Sequence, residues 1–187
     1  MAKFNKKIKD TSVRLGEVRF SYTAVFQPKK NDDGTPSKYG VCIIIPKEDT
    51  ETVNLVKEAI DAAKQRGKHE KWGGKIPANV KSCLRDGDID REDDEAFAGC
   101  YFLNASSRNK PGVKVLEDGV VSDALDEEDF YSGCWGAVTV NFFPYDSSGN
   151  KGVGAGPNNL IKTRDDERLA GGATAEQDFA DLGDELD

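Results

Sequence analysis

The stretch that decides the fold is Cys134–Phe143, with the sequence CWGAVTVNFF. Every second side chain from Val138 to Phe142 is apolar, and this period of two predicts a β-strand with one face in the core. The opposite face carries Trp135, Thr139, Asn141 and Phe143. A core face does not normally hold Asn and Thr, and a solvated face does not normally hold Trp and Phe. The mixture favours either a surface for nucleobases or a second core beneath a loop.

Two strands and a helix precede this stretch. Val13–Phe26 alternates as a half-buried strand does, and the β-branched run Tyr39–Ile45 is typical of a central strand that pairs with it. Asp49 or Thr50 then caps a helix whose apolar residues recur at three- and four-residue spacing, and Gly67 is placed to end it. The segment after the helix shows no sustained period and is expected to be a long loop.

The remaining strands flank the central one. Ala98–Ala105 predicts a third strand, which a turn at Asn109–Gly112 is expected to join to Val113–Leu116 as a hairpin. A turn at Ser147–Asn150 leads into a Gly-rich strand that ends at Asn159–Lys162. Five or six strands with one main helix predict a mainly β fold, an OB-type barrel that is closed or partly open.

Charge divides the chain into three parts. Residues 1–10 are Lys-rich without periodicity and predict a basic mobile arm, and residues 11–163 are assigned to the barrel. Residues 164–187 hold two basic and nine acidic residues, most of the net charge of −8, and predict an acidic disordered tail. Within the barrel, acidic residues are concentrated at 86–95 and 117–129, so the other residues of the barrel have an excess of Lys and Arg. This uneven charge favours a protein that binds a polyanion through its basic barrel and whose acidic tail mimics that polyanion. The alternative is that the acidic tail serves only solubility.

The composition excludes several classes of protein. With 187 residues, 37% hydrophobic residues and 19 glycines, the chain has the apolar content of one ordinary globular domain. No apolar run is long enough for a membrane-spanning helix or an export signal, so a soluble intracellular protein is expected. The four cysteines have no CxxC spacing, which favours reduced thiols over a disulfide framework or a zinc site.

Cations and rings recur together along the chain, a pattern typical of sequence-tolerant nucleic-acid binding. Aromatic rings stack on any base, and Lys or Arg neutralises phosphates without reading sequence. For each single cation, an ordinary solvated position is the alternative. The predicted nucleic-acid-binding residues are Arg19, Lys71, Trp72, Lys75, Lys81, Arg85, Phe102, Arg108, Lys110, Lys114, Trp135, Asn141 and Phe143.

The acidic run Asp86–Glu95, DGDIDREDDE, raises the question of metal chemistry. Asp86, Asp88 and Asp90 have the spacing of a calcium loop, but Arg91 stands where an EF-hand needs glycine. A metal-dependent nuclease that uses this run is the enzymatic alternative, although two-metal catalysis needs ligands that converge from separate elements. The chain also lacks a P-loop, a nucleotide-binding GxGxxG and a nucleophile elbow. The prediction is therefore no enzyme, no metal site and no cofactor.

Several separated motifs resemble one known family. They are WGGKIP at 72–77, LRDGD at 84–88, DDE at 93–95, GCYFLNA at 99–105 and YSG at 131–133. Together they resemble the single-stranded-DNA-binding proteins of tailed phages over roughly residues 13–163. The resemblance implies an OB barrel that binds single strands without sequence preference in phage replication and recombination. It also implies a protein without catalytic activity in the cytoplasm of the infected bacterial host.

The resemblance further implies a role for the acidic end. Related replication proteins carry an acidic tail that competes with DNA and recruits phage or host replication and recombination proteins. The residues that resemble this tail are Asp178, Phe179, Asp181, Leu182, Asp184, Glu185, Leu186 and Asp187. A structural phage protein that binds other proteins and not DNA is the remaining alternative.

Overall fold

The computed structural model of the protein describes residues 4–169. The strands in these residues are β1 (Lys6–Lys9), β2 (Ser12–Ala24), β3 (Tyr39–Pro46), β4 (Leu84–Asp86), β5 (Cys100–Ser107), β6 (Gly112–Glu117), β7 (Val120–Asp123), β8 (Trp135–Ser147) and β9 (Asn150–Arg164). The helices are the long α1 (Thr50–Glu70), the short α2 (Gly87–Asp90) and one 3₁₀ turn (Glu95–Phe97). The predicted class, mainly β with one main helix, is confirmed.

The strands form one sheet in the order β4-β5-β3-β2-β8-β9-β6-β7, with β1 paired to β2 outside this path. All neighbouring pairs are antiparallel except β6 and β9, which run parallel. The two ends of the path, β4 and β7, do not pair with each other, so the barrel is of the partly open form. The predicted pairing of the first two long strands is confirmed, since Phe20 lies opposite Ile43.

The core lies between the sheet and α1. Val138, Val140 and Phe142 of β8 are buried there, as their alternation predicts. The helix adds an apolar face at the predicted spacing, and it begins where predicted, because the Asp49 side chain accepts a hydrogen bond from the Thr52 backbone amide at 3.2 Å. No helix in the described part of the chain is both long and apolar enough to cross a membrane.

Gly67 does not end the helix, contrary to the prediction. The helix continues to Glu70, and Gly67 is buried inside it. A Cβ atom at this position would lie 2.7 Å from the Trp72 ring and 2.7 Å from Cβ of Pro144 in β8. The glycine is therefore needed for the close approach of α1 to β8 and to the segment that follows the helix.

The predicted hairpin between the third strand and Val113–Leu116 is wrong. β5 pairs with β3 and β4, whereas β6 pairs with β7 and, in parallel, with β9. The missed signal is Asp118-Gly119, whose φ angles of 51° and 77° form the two-residue turn between β6 and β7. Lys114 and Asp123 form an ion pair across this hairpin.

Lys6–Lys9 forms an edge strand within the segment for which the sequence predicted a mobile arm. β1 pairs with Arg14 and its neighbours in β2, and all four of its side chains are exposed. An edge strand that is exposed on both faces has no apolar period, which explains why the pattern did not predict it.

The four cysteines are free, as predicted. Burial raises the pKa of the Cys42 and Cys83 thiols to about 12 and that of Cys134 to about 11. These groups are thiols at neutral pH, which makes them unreactive.

We expect Gly67→Ala to destabilise the protein, although alanine is the better helix former. The added methyl group would overlap Trp72 and Pro144, and overpacking costs about 1–3 kcal/mol. The gain in helix propensity is about 1 kcal/mol. Urea denaturation should therefore give a lower free energy of unfolding. Gln65→Ala, at an exposed position of the same helix, should change it by no more than about 0.5 kcal/mol. Equal or greater stability of Gly67→Ala would contradict the packing argument.

Candidate nucleic-acid interface

A row of side chains crosses the outer face of the sheet. Residues directly opposite each other in neighbouring strands share a face, and the register connects six strands in this way. We call this set the arginine row, and from β4 to β9 it consists of Arg85, Phe102, Ile44, Arg19, Trp135 and Arg164. It unites four of the predicted nucleic-acid residues that are far apart in the sequence, namely Arg19, Arg85, Phe102 and Trp135.

Trp135 lies between two guanidinium groups in this row. The Arg164 guanidinium carbon lies 4.5 Å from the centre of the Trp135 ring and that of Arg19 lies 5.9 Å from it. Both distances are within the range of cation–π attraction. The Arg19 guanidinium is also held by the Gly133 carbonyl, which accepts from its Nε at 3.0 Å. The result is a partly exposed ring with cations on both sides.

The first residues after β9 cover this part of the row. The Asp166 carboxylate accepts a hydrogen bond from Nε1 of Trp135 at 2.8 Å and lies 3.6 Å from Arg19. Arg19 also donates to the Glu167 carbonyl at 2.8 Å. Further along, the Leu169 amide donates to the Ser132 carbonyl at 3.0 Å. We call residues 165–169 the 165–169 segment. This segment places the Asp166 carboxylate against the Trp135 indole and the Arg19 guanidinium.

Two carboxyl groups of the 165–169 segment stay ionised in this position. Hydrogen bonds from Lys162 and then Tyr131 hold the pKa of Asp165 below its ordinary value. The Trp135 indole, and then the Glu167 amide, do the same for Asp166. The segment thus presents negative charge to Arg19 and Arg164 at neutral pH.

Two of the predicted ring contacts are wrong. Trp72 is only 6% exposed, packs in the main core and donates from Nε1 to the Tyr145 carbonyl at 3.1 Å. Phe102 is fully buried in a second small core with Cys42, Ile44 and Phe97, under the guanidinium groups of Arg85 and Arg91. Neither ring has a free face for a base. A second core does exist under the long loop, but it lies on β3 and β5 and not on β8.

Phe143 does have a free face. Its side chain is 42% exposed, and its ring lies over Gly154 of the neighbouring strand β9, where a Cβ atom would come within 2.8 Å of the ring. Glycine at this position lets the ring lie against the backbone with its other side toward solvent. Such a ring is a platform on which a base can stack.

A polar groove lies beside Asn141, two residues before Phe143 on the same strand. Its volume is about 620 Å³. We call it the amide groove because Asn109, Asn141, Asn158 and Asn159 line it, together with Ile8, Lys9, Ser12, Ser107, Lys110, Thr139 and Pro157. Asn141 donates to Asn158 at 3.0 Å. Asn141 and Lys110 were predicted from the sequence. Asn158 and Asn159 were missed because their strand was assigned only as Gly-rich, and Asn109 was assigned only to a turn.

The other predicted cations are distributed over the surface. Lys81 is bridged to Gly152 of β9, near the Phe143 end of β8. Arg108 is exposed next to the amide groove, and Lys114 is paired with Asp123. Lys71 and Lys75 are exposed on the segment after α1, and within the described residues they join neither the arginine row nor the groove.

The acidic run 86–95 is built into the fold. Nζ of Lys47 lies 2.7 Å from carboxylate oxygens of both Asp86 and Asp88. Asp88 also accepts from the Gly99 amide at 2.8 Å, and Asp90 pairs with Arg85 at 3.1 Å. Hydrogen bonds from Lys47 and then Gly99 lower the pKa of Asp88. The three carboxylates of the nuclease alternative are thus bonded to protein groups, and the described residues contain no cluster suited to hold a metal ion.

The glycine of the LRDGD motif is also explained by packing. Gly87 is buried, and a Cβ atom there would overlap the carbonyl of Phe97 and lie 2.8 Å from that of Cys100. The motif therefore joins β4 to the start of β5 through a close backbone contact and the Lys47 ion pairs. Its role in the fold is structural.

Comparisons with known proteins give the same assignment over nearly the whole chain. A family model, described as Enterobacter phage Enc34, ssDNA-binding protein, matches residues 11–187. The chain belongs to this family. Protein p50 of Acyrthosiphon pisum secondary endosymbiont phage 1 is 31% identical over 183 residues, covering 91% of this chain and 93% of its own. The resemblance seen in the separated motifs is confirmed.

Two solved structures of the family superpose on the described fold. The single-stranded DNA-binding protein from bacteriophage Enc34 in complex with ssDNA gives a TM-score of 0.72 at 25% identity, covering 88% of this chain and 96% of that chain. Its C-terminal truncation gives a TM-score of 0.71 at 21% identity, covering 90% and 98%. The overall fold is thus shared within the family.

We expect Asp88→Asn to lower the midpoint of thermal unfolding at neutral pH, because it removes the charge that Lys47 and the Gly99 amide contact. Asp93→Asn, at an exposed position of the same run, should leave the midpoint unchanged. The difference should persist above the ordinary carboxyl pKa of 3.8, shrink below that pH and vanish once the pH falls below the lowered pKa of Asp88 in the folded state. If Mg²⁺ raised the midpoint of the wild type but not of Asp88→Asn, Asp88 would be assigned to a magnesium site and its purely structural role would be refuted.

Proposed function

We propose that this protein binds single-stranded DNA without sequence preference, through base stacking and phosphate contacts on the outer face of the barrel. The observation that carries this proposal is the environment of Trp135. A partly exposed ring lies between Arg19 and Arg164, and a carboxylate of the chain itself occupies the adjacent anion position. A ring flanked by two cations suits a nucleotide, whose base stacks while its phosphate meets a guanidinium.

The nature of the contacts explains why no sequence preference is expected. Stacking uses the π-face that every base has, at about 1–3 kcal/mol per base. Arginine contacts to phosphate add affinity that falls with salt, because counterions are released from the strand. Neither contact reads the edge of a base. Arg85 of β4 forms one end of the arginine row and lies above the buried Phe102.

We also propose that the acidic end of the chain competes with DNA for this surface. In the described residues the competition begins at Asp166, which bonds to Trp135 and lies near Arg19. The acidic residues predicted to recruit partners, Asp178–Asp187, lie outside the described residues. We propose that they continue the competition and that, when DNA displaces them, they become available to replication or recombination proteins.

Family membership supports this function and its setting. The related Enc34 protein is a single-stranded DNA-binding protein and has been solved with ssDNA. We propose that the present chain has the same ligand, works in phage replication or recombination in the cytoplasm of the infected bacterium and catalyses no reaction. The nuclease alternative has no supporting observation, because its carboxylates bond to Lys47, Arg85 and Gly99.

Removal of residues 165–187 should tighten binding to oligo-dT by about 5- to 150-fold, the change expected if the docked segment withholds one stacking contact of about 1–3 kcal/mol from the DNA. The cut leaves β9 and the Arg164 side chain in place. Fluorescence anisotropy across a salt series measures the affinity and its salt slope. Unchanged or weaker binding by the shortened chain would contradict competition by the acidic end.

Asp166→Ala should tighten binding in the full-length chain, because it removes the hydrogen bond to Trp135 and the charge near Arg19. Asp93→Ala makes the same change in net charge at an exposed loop position and serves as the matched control. If both variants tightened binding equally, the effect would come from overall charge and not from contact with the row.

A further inference from the structure

The outer face of β8 carries two separate places where a base can stack. Trp135 lies at one end and Phe143 at the other, eight residues apart, which corresponds to roughly 26 Å along a strand. Between them Ala137 is buried, and a Cβ atom on Gly16 would lie 2.8 Å from Cβ of Phe4 and 3.1 Å from Cβ of Ala137. Phe4 therefore lies beside Ala137 and separates Trp135 from Thr139, Asn141 and Phe143 on this face.

The 165–169 segment contacts only the Trp135 end. Asp166 bonds to Trp135, and the Leu169 amide bonds to Ser132, just before β8. The Leu169 side chain packs against the small core that contains Phe97 and Phe102, farther from Phe143 across the sheet. Within the described residues, none of 165–169 lines the amide groove.

The amide groove has the chemistry of a nucleotide site. Phe143 provides a ring whose open face looks to solvent, and Lys9 and Lys110 provide exposed cations for a phosphate. Asn141 and Asn158 are bonded to each other and keep further amide atoms for a ligand. Because an amide both donates and accepts, it can meet the polar edge of any base.

We propose that Phe143 and the amide groove form a second base-binding subsite, which the 165–169 segment leaves open. The inference rests on the proposed function. Docking of the segment then closes the Trp135 subsite alone, so it shortens the length of strand that the protein holds without ending binding. Release of the segment opens the Trp135 subsite as well, so that one strand can occupy a subsite on each side of Phe4.

The test compares Phe143→Ala and Trp135→Ala in the full-length chain, with a short oligo-dT as the probe. Phe143→Ala should weaken binding by about 5- to 150-fold, which corresponds to about 1–3 kcal/mol for one lost stacking contact. Trp135→Ala should change the affinity less than about twofold, since its subsite is already occupied by Asp166. Val121→Ala, an exposed apolar position on β7, is the control for a truncated surface side chain.

The same pair of substitutions is then made in a full-length chain that carries Asp166→Ala and Leu169→Ser, which remove two contacts of the segment. Here both ring substitutions should weaken binding, and the number of nucleotides covered per protein on poly-dT should rise. Phe143→Tyr keeps an aromatic face and should bind as tightly as the parent chain, whereas Phe143→Leu should bind as weakly as Phe143→Ala. Circular dichroism verifies that each variant is folded.

The outcomes separate the two proposals. If Trp135→Ala weakens the unmodified chain as strongly as Phe143→Ala, or if Phe143→Ala has no effect, the open subsite is refuted while DNA binding stands. An equal number of nucleotides covered with and without the segment contacts would also refute it. If no form of the protein binds oligo-dT at low salt, the proposed function fails, and the subsite fails with it.

Discussion

The alternation of side chains along β8 is the constraint on which the rest of the molecule depends. Its inward residues form the centre of the core, and β2 and β9 pair with it on its two edges. Because the period of a strand is fixed at two, burying Val138, Val140 and Phe142 forces Trp135, Asn141 and Phe143 outward. The core and the candidate interface are thus two faces of a single strand, and a shift in register would destroy both.

The second determinant is the way the strands bring distant cations into one line. Arg19, Arg85 and Arg164 belong to three different strands, and only the register of the sheet places them in the same row. The ion pairs of Lys47 with Asp86 and Asp88 hold the short strand β4 at the end of this row. The acidic motif therefore contributes to the interface through architecture, by fixing where Arg85 stands.

The sequence was informative where structure is decided locally. The two faces of β8, the pairing of β2 with β3 and the cap of α1 by Asp49 follow from periods and propensities that act within a few residues. The sequence failed where contacts are distant. Burial of Phe102 depends on Phe97 and the arginines above it, and burial of Trp72 depends on Gly67 and β8. An aromatic residue next to a lysine gives the same sequence pattern whether the face of its ring is buried or exposed. The parallel pairing of β6 with β9 also has no local signature.

The 165–169 segment follows β9 directly, with no linker between the last paired residue and the first carboxylate. A competitor attached in this way is present at a constant effective concentration, whatever the amount of protein in the cell. Dilution of the protein does not weaken it, and overproduction does not strengthen it. Under the proposed competition, the fraction of unbound protein whose Trp135 position is closed is therefore the same at every protein concentration, whereas the coverage of an exposed strand still rises with the number of copies.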